Sequence, residues 1–338
     1  MEQDNPAGHR LRVLLFSTVN PPFIVDDEKI LSRHYTVNRI VASGLRAVVL
    51  PFAVLRNDLV VSWFGSVYAA VNTVVARLAR KPSVIVIAGV DASKDREINY
   101  GIWLSPWKSV LLRYAFRHAH RLLVVDPFLG REAVRLAHYD GENIEYIPFG
   151  FDPEEWPLRD APREEVVLTV ASCENRWRLK KKGIDKLFAA AREMRGTRFR
   201  LIGIHAALLD EIREEVPENV EVITYVPRGQ LSAEYSKAKV YCQPSYTEGL
   251  PNTLCEAMLS GCIPVGTIAG GIPTAMGDTG YLVEYRDQEG LVTALRRALA
   301  APPADGLKAR RRILSEFTVE RREKALCQVV ESLLNNPS

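Results

Sequence analysis

Short, mostly apolar runs recur along this chain, and stretches of helical periodicity separate them. Leu11–Ser17, Ala47–Val54, Leu59–Trp63 and Ser83–Ile87 are such runs in the first half. Leu122–Asp126, Val166–Ser172, Thr197–Gly203 and Val220–Thr224 continue the series. A strand covered on both faces is apolar throughout rather than alternating, so these runs predict buried parallel strands. Helices are predicted to begin at Asp26, with acids in the first turn, and to run over Gly65–Leu78, Ser105–His120, Lys186–Met194 and Val319–Leu334. Parallel strands need crossover connections, so the alternation predicts open α/β sheets wound on both faces. A chain of 338 residues is long for one core and comfortable for two. Prolines and charges cluster at Pro153–Pro162, which places a boundary between domains 1–152 and 153–317.

Composition narrows the function. The net charge is only +3, too small to argue for a nucleic-acid partner. The five cysteines are scattered and lack a C-x-x-C pair, which predicts a reduced compartment without structural zinc. Met1–Asn5 is acidic and polar, unlike a secretory signal, so a cytoplasmic location is expected. Leu59–Ala76 carries no charge, but its Ser, Gly, Asn and Thr residues divide it into a strand and a helix rather than a membrane span. Neither G-x-G-x-x-G nor a P-loop occurs.

The stretch Tyr241–Gly261 reads as the end of a strand, a polar loop and a helix beginning near Pro251. Glu248 precedes that helix and Glu256 lies inside it. The free N–H groups of Asn252, Thr253 and Leu254, with the positive end of the helix dipole, form an anion site between the two carboxylates. Such spacing suits a ligand with phosphate between hydroxyls, as in a nucleotide-sugar. The same spacing also fits a solvated loop acid and an ordinary helix acid.

Ser245-Tyr-Thr-Glu-Gly-Leu-Pro-Asn-Thr-Leu-Cys-Glu-Ala-Met258 resembles the E-x7-E signature of the retaining family 4 glycosyltransferases. Gly261–Val265, Ala269–Pro273 and Gly280–Val283 are similar to that family's later motifs, in order. The resemblance implies a GT-B fold, two Rossmann-like domains facing each other across a cleft, with a last helix near 318–338 returning to the first domain. It implies sugar transfer with retention from a nucleotide-diphosphate sugar to a glycan or lipid-linked acceptor. The family needs no metal, and the sequence has no D-x-D pair, so no cofactor is expected.

By the same resemblance Glu256 holds the ribose hydroxyls and Glu248 approaches the donor sugar. Gly249 and Leu250 complete the donor loop, and Val226, in Tyr225-Val-Pro227, lies against the nucleotide base. Lys182-Gly-Ile-Asp185 matches the motif whose lysine, with an upstream arginine, holds the diphosphate. The segment Cys173–Asp185 is read as a loop carrying five basic residues; Arg178 is the first choice for that arginine and Arg176 the second. A solvated basic loop is the alternative reading of that run.

In the first half, Asp91 follows a strand and is a candidate for the cleft or for capping its own turn. Asn99 and Tyr100 are candidates for the acceptor side. Arg113, Arg117 and Arg121 lie at four-residue spacing, with no acid between Glu97 and Asp126 and with Trp103 and Trp107 nearby. They form either a membrane-surface patch or the solvated face of a core-packed helix. Ala88, Phe149 and Thr274 depart from family positions. These departures keep a non-catalytic relative open as an alternative; the other is a 2-epimerase-like enzyme on the same fold, for which the histidines offer no obvious acid–base constellation.

Overall fold

The computed structural model describes residues 10–159 and 162–335. Met1–Asn5, part of the Pro153–Pro162 boundary and the last three residues therefore lie outside the described residues. The chain divides into two compact units: residues up to Pro148 together with Glu320 onward, and Phe149–Val319.

The first unit contains strands β1 (Arg12–Ser17), β2 (Thr36–Val41), β3 (Leu59–Trp63), β4 (Ser83–Ile87), β5 (Arg121–Val124) and β6 (Ile144–Tyr146). They form one parallel sheet in the order β2-β1-β3-β4-β5-β6. Its helices are α1 (Pro22–His34), α2 (Leu50–Arg56), α3 (Val67–Leu78), α4 (Pro106–His118) and α5 (Pro127–Ala137).

Three expectations are corrected here. Ala47–Val54 is not a strand: it closes a 3-10 turn over Gly44–Val49 and opens α2. A continuous apolar run lacks the period that separates the two forms. The missing strand is β2, whose alternating, half-exposed TVNRIV sequence suits a sheet edge. Helix α1 begins at Pro22 rather than Asp26, because the first turn has no use for the N–H that proline lacks.

The second unit contains β7 (Glu164–Cys173), β8 (Arg198–Ile204), β9 (Val220–Ile223), β10 (Ala238–Gln243), β11 (Ile263–Thr267) and β12 (Tyr281–Val283). These also form one parallel sheet, in the order β12-β11-β10-β7-β8-β9. The helices are α6 (Arg176–Lys181), α7 (Ile184–Glu193), α8 (Ala206–Ile212), α9 (Arg228–Lys237), α10 (Asn252–Leu259), α11 (Ile272–Met276), α12 (Gln288–Ala300) and α13 (Pro303–Glu316). Val167, Leu201, Val240 and Val265 of the sheet pack with Leu187 and Phe188 of α7 and with Leu291 and Leu295 of α12.

The division falls after Pro148, not after residue 152. Phe151 bridges Thr318 and its N–H donates to the Phe317 carbonyl, so residues 149–152 belong with the second unit. The chain ends in α14 (Val319–Asn335), and from Glu320 onward it is part of the first unit. There the buried Arg322 meets both oxygens of Asp27 at 2.6 and 2.7 Å and donates to the carbonyls of Ile147 and Pro148.

Candidate active site

In the second unit, four segments converge at the carboxyl end of β10. Gly183 holds a left-handed conformation (φ +66°), and a Cβ there would lie 1.8 Å from the Pro244 carbonyl oxygen. Only glycine permits that approach. The Tyr246 N–H donates to the Lys181 carbonyl at 2.8 Å, so residues 181–183 are clipped to 244–246. Gly270 (φ +53°) passes equally close to the backbone of Glu248, and the Gly271 N–H donates to the Glu248 carbonyl at 3.3 Å.

Glu248 is thereby fixed with its side chain one-tenth exposed. Its Oε1 accepts from Lys182 Nζ at 2.7 Å, Ser245 Oγ at 2.7 Å and Gln243 Nε2 at 3.1 Å. No donor among the described residues reaches Oε2. Burial alone would push this carboxyl up. The Lys182 and Lys181 ammonium groups and the hydrogen bonds from Lys182 and Ser245 outweigh burial and hold it below the usual carboxylate range.

Gln243 is held in turn: its Oε1 accepts from Tyr241 at 3.1 Å and Thr253 at 3.3 Å. Lys181 is half-buried, and burial pushes its ammonium down to about 8 although Glu248 pulls the other way.

Helix α10 starts at Asn252, with Pro251 as its cap residue and no side-chain cap. No acceptor among the described residues takes the N–H groups of Asn252, Thr253 and Leu254. Asn252 Oδ1 is buried without a hydrogen-bond partner among the described residues. Leu250 is buried and Gly249 half-buried in the preceding loop. Glu256 is buried inside α10, where Oε2 accepts from the Tyr235 hydroxyl at 3.0 Å. Val226 lies half-buried in the loop after β9, next to the exposed Tyr225.

The segment read as a basic loop is largely helix α6, because Asn175 caps it by accepting from the Arg178 N–H at 2.9 Å. This helix separates the two arginine candidates. Arg178 is half-exposed, 3.6 Å from Glu174. Arg176 turns instead to Glu211 of α8 and Glu215, so its charge is spent away from Lys182.

In the first unit Asp91 is wholly buried and accepts from the N–H groups of Gly65, Ala88 and Gly89. Burial pushes its carboxyl up to about 6 against the pull of those donors. This carboxylate is held by its own turn and by the loop that follows β3. Tyr100 pairs with Asp95 backbone to backbone, and Asn99 is exposed at the tip of that turn in the left-handed region.

The arginine stripe is divided by its partners. Arg117 donates to the carbonyls of Ala137 and His138, and Arg121 pairs with Glu145. Arg113 remains, its Nε buried with no hydrogen-bond partner among the described residues. Among the described residues no helix is long and apolar enough to cross a membrane.

Reasoning from sequence missed Lys181, Gln243 and Ser245 as participants. A polar residue closing an apolar strand, and a serine three residues before Glu248, were the available signals.

Residues 164–301 match the family described as "Glycosyl transferases group 1". The MMP alpha-(1->4)-mannosyltransferase of Mycolicibacterium hassiacum is 25% identical over 70% of this chain and 64% of its own length. The alpha-maltose-1-phosphate synthase of Mycolicibacterium smegmatis is 25% identical over 67% and 65%. The chain thus spans just under two thirds of each of these relatives. Among solved structures, a sucrose-phosphate synthase from Thermosynechococcus elongatus superposes with TM-score 0.76 at 16% identity, covering 96% of this chain and all of that one. Anabaena HepE in complex with UDP-glucose gives TM-score 0.75 at 15% identity with the same coverage. The fold is GT-B, two Rossmann-like domains.

Proposed function

We propose that this chain, whose residues 164–301 form a glycosyl transferases group 1 domain, moves a sugar from a nucleotide-diphosphate sugar to a glycan or lipid-linked acceptor, with retention and without a metal ion. The observation that carries the reading is the setting of Glu248: three donors hold Oε1 while Oε2 is left to a ligand, beside the open N-terminus of α10. HepE, of the same fold, binds UDP-glucose, which supports a nucleotide-sugar as donor.

In this reading the bond from the anomeric carbon to the diphosphate oxygen breaks, and one to the acceptor oxygen forms on the same face of the sugar. The acceptor's proton passes to the departing diphosphate. Charge grows on the diphosphate as the bond breaks, so donors fixed before the reaction lower the barrier. Lys182, Arg178 and the N–H groups of Asn252, Thr253 and Leu254 are those donors, and they supply the charge a metal would otherwise bring. Glu248 orients the sugar, Glu256 takes the ribose, and Val226 lies by the base, with Gly249 and Leu250 shaping the loop. Two carboxylates flanking a sugar would describe a hydrolase, whereas here Glu248 is tied to Lys182 and serves as a positioning and binding group.

The test is a thermal-shift panel of nucleotide-sugars on the wild type and Glu256→Gln, followed by turnover of any hit with acceptor extract. A donor that stabilises the wild type, does so less in the variant and turns over establishes the transferase. Binding without turnover would make the chain a nucleotide-sugar-binding relative. No binding at all would remove the proposal.

A further inference from the structure

Three neighbouring helices of the first unit carry apolar side chains on the side that faces solvent. Helix α3 is inside out: Ala69, Ala70, Asn72, Thr73 and Ala76 point to the sheet, while Val71, Val74 and Leu78 are exposed, Leu78 at 81%. Of the inward polar side chains, Asn72 Nδ2 donates to the Ser62 hydroxyl and Thr73 donates to the Ala69 carbonyl, while Asn72 Oδ1 has no hydrogen-bond partner among the described residues. The segment before it behaves similarly. Ala47, Leu50 and Val54 pack inward, while Leu45, Val48 and Phe52 stand out at 94%, 73% and 67% exposure. On α4, Trp107 and Val110 are exposed opposite the buried Leu112, Ala115 and Phe116. Helix α3 packs against both α2 and α4, so the three outward faces adjoin.

Single exposed apolar residues are ordinary, but a face of this extent marks an interaction surface. Its charge indicates the partner. Asp58 is the only acid between Glu28 and Asp91, and it is paired with Arg12; none lies between Glu97 and Asp126. Arg46, Arg56, Arg77 and Arg80 are exposed on and beside these helices. At the start of α4, Lys94, Arg96 and Arg113 line a cavity of about 300 Å³ together with Val110, and no acid lines it. Arg113 Nε is buried with no acceptor among the described residues. A second copy of this chain would bring like charges together. An anionic lipid surface supplies both an apolar layer and phosphate oxygens.

We propose that the first unit docks on an anionic membrane surface through the outward faces of α2, α3 and α4, with the cavity at Lys94, Arg96 and Arg113 receiving a headgroup phosphate. The helices lie on the bilayer rather than cross it. This surface differs from the arginine stripe read in the sequence, since its apolar side chains make the contact and Arg117 and Arg121 are spent within the unit. The proposal stands apart from sugar transfer, because it concerns only where the first unit binds.

The experiment is flotation of the full chain with phosphatidylcholine vesicles, with and without phosphatidylglycerol, comparing the wild type with Leu45→Glu/Phe52→Glu/Leu78→Glu. The three positions are solvent-exposed, and an unchanged Tm shows that the variant is folded. A second variant, Arg96→Gln/Arg113→Gln, tests the cavity. The expected result is capture by the anionic vesicles, reduced about ten-fold or more in the apolar variant and at least several-fold in the cavity variant. A wild type that stays in solution, or capture that the apolar variant leaves unchanged, overturns the proposal. So does a wild-type dimer that the apolar variant converts to monomer without any flotation. Nucleotide-sugar binding measured on the same samples keeps the two proposals separable: donor binding without flotation sinks this one alone.

Discussion

Lys182 Nζ lies 2.7 Å from Glu248 Oε1, and the two residues, sixty-six positions apart, are brought together by the glycine that follows the lysine. The pair sets an acid-side dependence. Glu248 is held below the usual carboxylate value near 4.3, so its ionised form stabilises the fold above that pH. That contribution is lost as pH falls through the lowered folded value. Lys182→Met is expected to lower stability by about 1–3 kcal/mol near pH 7 and to move the acid limb of a Tm-against-pH curve upward. An unmoved acid limb would mean that Lys182 does not govern the carboxylate. Donor turnover should fall by at least about a hundred-fold, as for removal of one preorganised charge.

Lys181 gives a dependence of opposite sense. Burial lowers its folded value to about 8, below the unfolded value near 10.4. Between those two values the unfolded chain binds more protons, so stability rises with pH. Lys181→Met is expected to raise Tm at pH 7 and to abolish the rise above pH 8. It should also weaken donor binding below pH 8, where the wild type still carries the charge, while leaving binding at high pH little changed. Titration calorimetry at pH 7 and about pH 9 reads both effects.

Gly183→Ala places a methyl on the Pro244 carbonyl and strains a left-handed residue. The expected cost is about 2 kcal/mol or more in stability. The displaced Lys182 should lower kcat more than it weakens donor affinity, because the open N-terminus of α10 is untouched. Equal effects on kcat and affinity would show that the segment as a whole, not the lysine, had been lost.

In the first unit, Arg322→Met is expected to destabilise by about 3–5 kcal/mol, since it leaves Asp27 buried without its guanidinium. Arg322→Lys should rescue little, because a point charge cannot meet both Asp27 oxygens and the carbonyls of Ile147 and Pro148. Denaturant unfolding of the three proteins measures this. A fully restored midpoint in the lysine variant would reduce the contact to simple charge neutralisation.

Parallel sheets and the glutamate-bearing helix were legible because periodicity and motif are local. Ala47–Val54 was misread because a segment apolar on both sides has no period to read, and its outward side chains match no core. Helix α6 was written in the chain as an asparagine cap, straight side chains and a closing glycine, but the charge run drew the reading to a loop. The fate of Arg176 was not legible, because it depends on the distant Glu211 and Glu215 standing opposite. For Asp91 the local donors Ala88 and Gly89 were open to a turn-capping reading, but the third donor, Gly65, comes from another loop and was not.

Arg322 also bears on the order of events during synthesis. The segment Phe149–Val319 is continuous and can fold as soon as it leaves the ribosome. The first unit starts before the second and is completed after it, because Asp27 lacks its guanidinium until Arg322 has been made. Termination after residue 319 would therefore damage the first unit, although most of it is made before the second.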